Sequence, residues 1–325
     1  MKTVGVIGAS GAVGREIVRQ LELRAFPLEE LRLFASEKSL GKTLPFKSES
    51  ILLEKLDFAA LQDLDLAFFC AGSSVSREWI PKAKGFVIDS SSAFRSEFPL
   101  IIPEINAHAI GNSRAIASPN CTATVLLMTL FKLHRLFKAK RIVASTYQAA
   151  SGGGAALLQH LEEETRAHLE GRPHPPLFPF PYAFNVYPHN SSLLPSGYVE
   201  EEMKLADETR KILEDPNIQV SATCVRVPVL RAHSISANVE FHRPFRIEEI
   251  YEALEGVEGL AVFEDRRLNR FATPAEAVGK NDIFCGRFRI DPSQPNTLEF
   301  WAVGDQLLKG AALNAVQIGE LLLRG

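Results

Sequence analysis

The chain has 325 residues, with 36 basic and 39 acidic side chains and a formal net charge of −3. That length can build two domains with real cores. The charge balance excludes a polycationic surface made for nucleic acid, and no run reaches the apolar length of a membrane span. Four cysteines, Cys70, Cys121, Cys224 and Cys285, lie far apart with no CxxC. They point to neither a disulfide scaffold nor a zinc site, and no metal is expected. The first residues run straight into a strand pattern, so the expected setting is a reducing cytoplasm.

Residues 3–7 form a short apolar β-run. Gly8-Ala9-Ser10-Gly11-Ala12-Val13-Gly14 follows, and helical periodicity covers 15–23. Strand, glycine turn and helix is the setting in which backbone N–H groups receive a pyrophosphate. The spacing is GxxGxxG rather than GxGxxG, so a tight βα turn without ligand is the alternative. The second strand, 31–35, ends in Ser36-Glu37-Lys38-Ser39. Hydroxyls and amines suit a 2′-phosphate, which favours NADP, whereas Glu37 can accept from a ribose. Strand 64–69 ends in Cys70-Ala71-Gly72, small residues that permit close ligand approach. Strand 86–88 ends in Ser90-Ser91-Ser92 and Arg95, which is either an anion cradle or a solvated serine turn. Runs 100–102 and 115–117 complete a sheet compatible with parallel strands.

Ser118-Pro119-Asn120-Cys121-Thr122 then stops a strand and opens a periodic segment ending at 137. Asn120 is read as N-cap and Cys121 as first-turn residue. A thiol there meets unpaired N–H groups and the positive end of the helix dipole, both of which favour thiolate. A small buried residue is the bland alternative.

Beyond it, strand 141–146 leads to Gln148 and the glycines after Ser151, then helix 155–169. Gln148 either positions a carbonyl or serves the turn. Residues 171–197 are long, proline-rich and aromatic, which points to a functional or dimer-contact segment. Helix 200–213 carries Glu201 and Lys204 on one face, either for a zwitterion or as a surface pair. Strand 218–225 is followed by Arg226. Strand 233–241 alternates, with His233 among its apolar set as core residue or general base. Helix 246–254, strands 282–290 and 297–303, and a slender helix 307–323 close the chain.

A dinucleotide turn with a helix-start cysteine points to aldehyde oxidation through a thioester. The segments Gly8 to Gly14, Ser91-Ser92-Ala93-Phe94-Arg95, Pro119-Asn120-Cys121, Gln148-Ala149-Ala150-Ser151-Gly152, Ala183-Phe184-Asn185-Val186, Glu201-Glu202-Met203-Lys204 with Glu208-Thr209, Arg226-Val227-Pro228-Val229 to His233, and Lys309-Gly310-Ala311-Ala312-Leu313-Asn314 stand in this order. In order and spacing the chain resembles the aspartate-semialdehyde dehydrogenase family nearly end to end.

The resemblance implies an α/β fold of the glyceraldehyde-phosphate dehydrogenase type. A Rossmann-like NADP-binding domain (1–119 and 306–325) would join an α+β catalytic and dimerisation domain with a mixed sheet (120–305). The last helix would return to the cofactor domain. Cys121 matches the nucleophile and His233 the acid–base. Gln148 resembles the residue orienting the acyl intermediate, with Asn120 beside it. Arg226 matches the binder of the substrate α-carboxylate and Glu201 that of the α-amino group. Arg95 and Lys204 resemble phosphate binders, and Ser151 lies with substrate and cofactor. Gly8, Ser10, Gly11, Ala12, Val13, Gly14, Gly72, Gly152 and Gln306 fall in cofactor-binding segments, with Ser36, Lys38 and Ser39 in the region selecting NADP.

The implied reaction interconverts L-aspartate 4-semialdehyde plus phosphate with L-4-aspartyl phosphate, in lysine, diaminopimelate, threonine and methionine biosynthesis, by a homodimer in the cytoplasm. Two residues depart from the pattern: Lys38 stands where many relatives have arginine, and Gln306 where asparagine is common. The alternatives are another phosphorylating acyl reductase, such as N-acetyl-glutamyl-phosphate reductase, or a non-catalytic homologue. Glu201 discriminates against the former, since an acetylated amine carries no charge.

Overall fold

Runs such as Leu66–Phe69, buried at all four positions, have no polar face. They can only be inner strands of a sheet covered on both sides. The computed structural model, which describes residues 2–324, bears this out. The chain forms two compact units, Met1–Asn120 with Gly310–Gly325, and Cys121–Lys309.

The first unit holds strands β1 (Thr3–Ile7), β2 (Glu30–Phe34), β3 (Thr43–Phe46), β4 (Glu49–Glu54), β5 (Leu66–Phe69), β6 (Phe86–Asp89) and β7 (Ala115–Ala117). They are ordered β3-β4-β2-β1-β5-β6-β7. Every pairing is parallel except the edge hairpin β3/β4. This is a doubly wound sheet of Rossmann type. Helix α1 (Ala12–Leu23) follows β1. The shorter α2 (Phe58–Gln62), α3 (Ser73–Trp79) and α4 (Pro103–Asn106) complete the crossovers.

Two expectations are corrected here. Residues 100–102 do not form a strand. Only Leu100 bridges Ala117, because Pro103 lacks the N–H a strand needs and instead starts α4. The hairpin β3/β4 went unread. Its strands are half exposed, and their apolar runs, 44–46 and 51–53, are only three residues long, the first interrupted by a proline.

The core of this unit joins Val4, Val6, Leu33 and Phe68 of the sheet to Ala312, Ala315, Val316 and Ile318 from the chain's end. The small residues there let backbone approach aromatic rings. A Cβ added at Gly319 would lie 3.2 Å from both Phe26 and Phe68. Asn314 fixes the docking by donating to Ile101 O and Ser118 Oγ at 2.9 and 3.0 Å. The terminal helix is not continuous from 307. A π-turn, Leu308–Ala312, precedes the α-helical stretch Leu313–Arg324.

The second unit is built on a mixed sheet. Its strands are β8 (Ala139–Gln148), β9 (Tyr187–Pro188), β10 (Gln219–Arg226), β11 (His233–Phe241), β12 (Leu260–Val262), β15 (Ile283–Ile290) and β16 (Thr297–Gly304). A separate two-stranded ribbon is β13 (Glu264–Asp265) with β14 (Arg270–Phe271). The order is β12-β15-β16-β11-β8-β10-β9. Pairs β8/β10 and β12/β15 are parallel and the others antiparallel.

Helix α5 (Cys121–Phe137) is buried along most of its length and packs on β11 and β16. Gly304 leaves room for it, since a Cβ there would come within 3.0 Å of Val125. Helices α6 (Ala155–Leu169), α7 (Glu200–Ile212), α8 (Ile247–Leu254) and α9 (Pro274–Ala277) follow. Among the described residues no helix is long and apolar enough to cross a membrane.

Candidate active site

In the first unit the glycine turn has the shape a dinucleotide requires. Gly8 has φ +96°, and a Cβ there would lie 2.8 Å from backbone atoms of Cys70 and Ala71. A Cβ on Gly14 would meet Gly8 O at 2.3 Å. Only glycine lets α1 start this close to the strand ends. Gly11 is the N-cap of α1 and brings no side chain to its first amides. Ser10, Ala12 and Val13 are partly accessible beside them. Those amides are free of a side-chain cap and suit a phosphate.

Gly72, with φ +92° and open space around it, caps α3 in the same manner. Ser36 precedes a single turn, Glu37–Ser39, beyond β2, in which Glu37 and Lys38 are exposed and Ser39 is half-buried. Lys55 pairs with Glu37 at 2.9 Å and holds that carboxylate below its usual range. Both side chains are exposed, so the pair contributes little energy. Arg95, half-buried, donates to Ser118 O at 3.1 Å and to Ser90 O at 3.3 Å. Asp89 orders the serine loop by accepting from Ser91 N and Oγ.

In the second unit sheet register gathers the chemistry. Parallel pairing sets Gln148 beside Arg226 at the carboxyl ends of β8 and β10. Antiparallel β11 begins at that same end, with Ser234 opposite Tyr147. Gln148, Arg226 and His233, far apart in sequence, therefore share one sheet edge. All three are buried.

Gln148 accepts from Thr146 Oγ1 at 3.0 Å and donates to Glu201 Oε1 at 3.2 Å. Lys204 reaches Glu201 Oε2 at 3.6 Å along α7. Arg226 donates to Ala149 O at 3.0 Å through Nη1 and to His189 Nε2 at 2.9 Å through Nη2. Its Nε is buried without a partner.

His233 Nδ1 accepts from Ala149 N at 3.0 Å. The neutral ring therefore carries its hydrogen on Nε2, which is also buried and unpartnered. Burial, aided by the nearby Arg226 charge, pushes this imidazole down to about 3. Gly152 lies against both groups. An added Cβ would stand 2.9 Å from His233 Nε2 and 3.2 Å from Arg226 Nη1. Ser151, buried, receives a short hydrogen bond from Gln306 Nε2, and Gln306 Oε1 accepts from Ala232 N at 2.8 Å. Gln306 thus ties the residue before His233 to the glycine segment.

Asn120 is buried and Cys121 half-buried where α5 starts. The other cysteines are inert by environment. Burial pushes the Cys70 and Cys224 thiols up to about 12, and that of Cys285 up as well.

Sequence reasoning missed His189. Burial and the adjacent Arg226 push it down to about 4. The only available signal was its place after Pro188 in a segment read for its aromatics. Those aromatics do cluster: Phe178, Phe180, Tyr182 and Tyr187 pack together, while Phe184 is exposed.

Residues 3–113 match the family model "Semialdehyde dehydrogenase, NAD binding domain", and residues 130–309 match "Semialdehyde dehydrogenase, dimerisation domain". The chain is 47% identical to an aspartate-semialdehyde dehydrogenase of Synechocystis sp., covering 98% of this chain and 97% of that one. It is 42% identical to one of Aquifex aeolicus, covering 99% and 98%. Among solved structures, aspartate-semialdehyde dehydrogenase II of Vibrio cholerae superposes with a TM-score of 0.94 at 38% identity, over 99% of this chain and 98% of that chain. With both domains matched in order, and relatives alike along their whole length, the chain belongs to the aspartate-semialdehyde dehydrogenase family.

Proposed function

We propose that the chain interconverts L-aspartate 4-semialdehyde plus phosphate with L-4-aspartyl phosphate through a thioester on Cys121, using NADP. It is an enzyme of amino-acid biosynthesis, as membership of the family entails. The observation that carries the residue assignment is the pair of buried, unpartnered donors, Arg226 Nε and His233 Nε2, on two side chains that both pack against Gly152. Buried donors without partners are costly, and a substrate bearing a carboxylate and a carbonyl supplies both acceptors.

In the oxidative direction Cys121 Sγ attacks the aldehyde carbon, and the carbonyl π electrons move to oxygen. His233 Nε2–H donates to that oxygen, the role its tautomer supports. Gln148, held by Thr146 and Glu201, aims its amide at the acyl group. Arg226 takes the α-carboxylate and Glu201 the α-amino group. When bound, NADP supplies the hydride acceptor that makes oxidation to the thioester possible. The turn from Gly8 to Gly14 would hold its pyrophosphate, and the close approaches at Gly8 and Gly14 fit that group. Phosphate, met by Arg95 and Lys204, attacks the thioester carbon, and Cys121 leaves as thiolate.

The same reading takes the protein to be a cytoplasmic homodimer. Exposed Leu177, Phe184, Val186 and Leu193 on segment 171–197 supply apolar contact surface. The test is nicotinamide absorbance in the presence of L-aspartate 4-semialdehyde. Reduction of NADP that requires phosphate and is lost in Cys121→Ala is expected. No turnover, or turnover only of N-acetyl-glutamate semialdehyde, would overturn the reading.

A further inference from the structure

Away from the residues above, three donor side chains converge at the side of α6. His160 and Glu164 are four residues apart on that helix and share a face. His174, between Pro173 and Pro175, comes back to them from the following segment. One donor atom from each lies within 4.8 Å of the other two. His160 Nε2 is 3.8 Å from Glu164 Oε2, too far for a hydrogen bond. The two imidazole rings meet edge to face with centroids 4.9 Å apart.

His160 Nε2 and His174 Nδ1 are both buried and have no hydrogen-bond partner. Two orphaned ring nitrogens beside a buried carboxylate make an unfavourable arrangement unless something occupies the space between them.

We propose that His160, Glu164 and His174 form a three-ligand site for a divalent transition-metal cation of the zinc class, which fastens segment 171–197 to α6. Two imidazoles and one carboxylate suit zinc, cobalt or nickel, whereas calcium and magnesium take oxygen ligands. Ligands around a tetrahedral zinc stand ~3.3 Å apart, from metal–ligand bonds of ~2.0 Å. The three donor atoms lie within 4.8 Å of one another, up to about 1.5 Å wider than that, a gap that side-chain rotation on binding would close.

The outer contacts agree with the assignment. Glu164 Oε2 accepts from Tyr182 N and Ala183 N at 2.8 and 2.7 Å, which orients the carboxylate and leaves its other oxygen, Oε1, as the ligand atom. Glu163 Oε2 stands 3.8 Å from the other nitrogen of His174, Nε2, too far for a hydrogen bond as it is but close enough that a small rotation would set a carboxylate behind a metal-bound histidine. The consequence is mechanical. Segment 171–197 carries Tyr182, whose hydroxyl donates to Val227 O at 2.8 Å, and His189, which accepts from Arg226. A cation there would tie that segment to a helix at a second point.

The test uses the full-length protein, stripped with a chelator, desalted and titrated with zinc chloride by calorimetry. One equivalent per chain is expected, with thermal unfolding shifted upward by zinc. His160→Gln and His174→Gln should each weaken that equivalent at least about 100-fold and remove the thermal shift. His174 lies outside the helix, so the second variant reports even if the first folds poorly. Cobalt should give d–d bands without a thiolate charge-transfer band.

Three results would overturn the proposal. One is no uptake at micromolar zinc. Another is uptake unchanged in either variant. The third is a cobalt charge-transfer band that disappears in Cys121→Ala, which would place the metal on the nucleophile.

Discussion

Gly152→Ala isolates what the glycine segment does for His233. The added methyl would stand 2.8 Å from His233 Cε1, 2.9 Å from Nε2 and 3.2 Å from Arg226 Nη1. Ordinary contact begins near 3.4 Å, so the overlap is about 0.6 Å with the ring and about 0.2 Å with the guanidinium. Neither group can swing aside freely. His233 is fully buried and held through Nδ1 by Ala149 N, and Arg226 Nη1 is held by Ala149 O. Overpacking of this kind costs ~1–3 kcal/mol. Displacing a group that must meet the reacting oxygen costs more in rate, on the order of 100-fold for ~1 Å.

Gly153→Ala is the control. Its methyl would meet the flexible end of Leu157, with Cδ2 at 2.4 Å, and no member of the proposed catalytic set. Steady-state kinetics and thermal unfolding of both variants are the measurements. Gly152→Ala should lose ~30–100-fold in kcat, whereas Gly153→Ala should lose stability and keep kcat within a few-fold. If Gly152→Ala turns over within threefold of wild type, the claim that this glycine spaces His233 is wrong.

Cys121→Ala should abolish turnover while Cys70→Ala, Cys224→Ala and Cys285→Ala retain it, because burial keeps those three as thiols; full activity in Cys121→Ala would sink the thioester. NADP should be preferred over NAD in kcat/KM, by a modest margin because Lys38 lacks arginine's planar fork; a clear NAD preference refutes it. Arg226→Lys should raise KM for aspartate semialdehyde far more than for phosphate, and Arg95→Lys should do the reverse; a shared or inverted pattern refutes the division of anions. Stability should fall as pH drops below about 6.5, because His233 and His189, pushed down to about 3 and about 4, stay neutral when folded and take a proton when unfolded. The unfolded state then binds more protons, so each group removes ~1.4 kcal/mol per pH unit between its two pKa values; chemical denaturation at pH 7.0 and 5.5 should show the loss, and equal stability would refute it.

Much of the fold was legible because both sheets follow simple rules. Buried parallel strands read as unbroken apolar runs, and β11 reads as strict alternation. What stayed hidden depends on register, which no local pattern encodes. Gln148 and Arg226 are neighbours only because β8 and β10 pair in parallel at that offset. Gly152 was placed among cofactor-binding residues, and its closeness to His233 follows from that pairing and not from its neighbours in sequence. The group formed by His160, Glu164 and His174 escaped notice for a related reason. The widely spaced cysteines argued against metal, and a histidine and glutamate four apart on a helix are common solvated residues until a loop returns a third ligand.

His189 bears on why the proposed site would favour an anion. Arg226 is buried, and among the described residues its hydrogen-bond partners are a carbonyl oxygen and an imidazole, both neutral. A carboxylate at residue 189 would hold the guanidinium equally well and cancel its charge. An imidazole holds it without doing so. The guanidinium in turn helps to keep both His189 and His233 unprotonated, since each would place a second positive charge beside the first. The Arg226 charge, which Glu201 near the two imidazoles offsets only in part, is costly in a buried site until an anion arrives. That cost falls on the free enzyme and is relieved by the α-carboxylate proposed to bind Arg226. It therefore favours a charged substrate over an uncharged aldehyde of the same length. On the proposed reading the fork of Arg226 would fix direction, the neutral His189 would add no charge against it, and Gly152 lets His233 and Arg226 pack this close to its backbone.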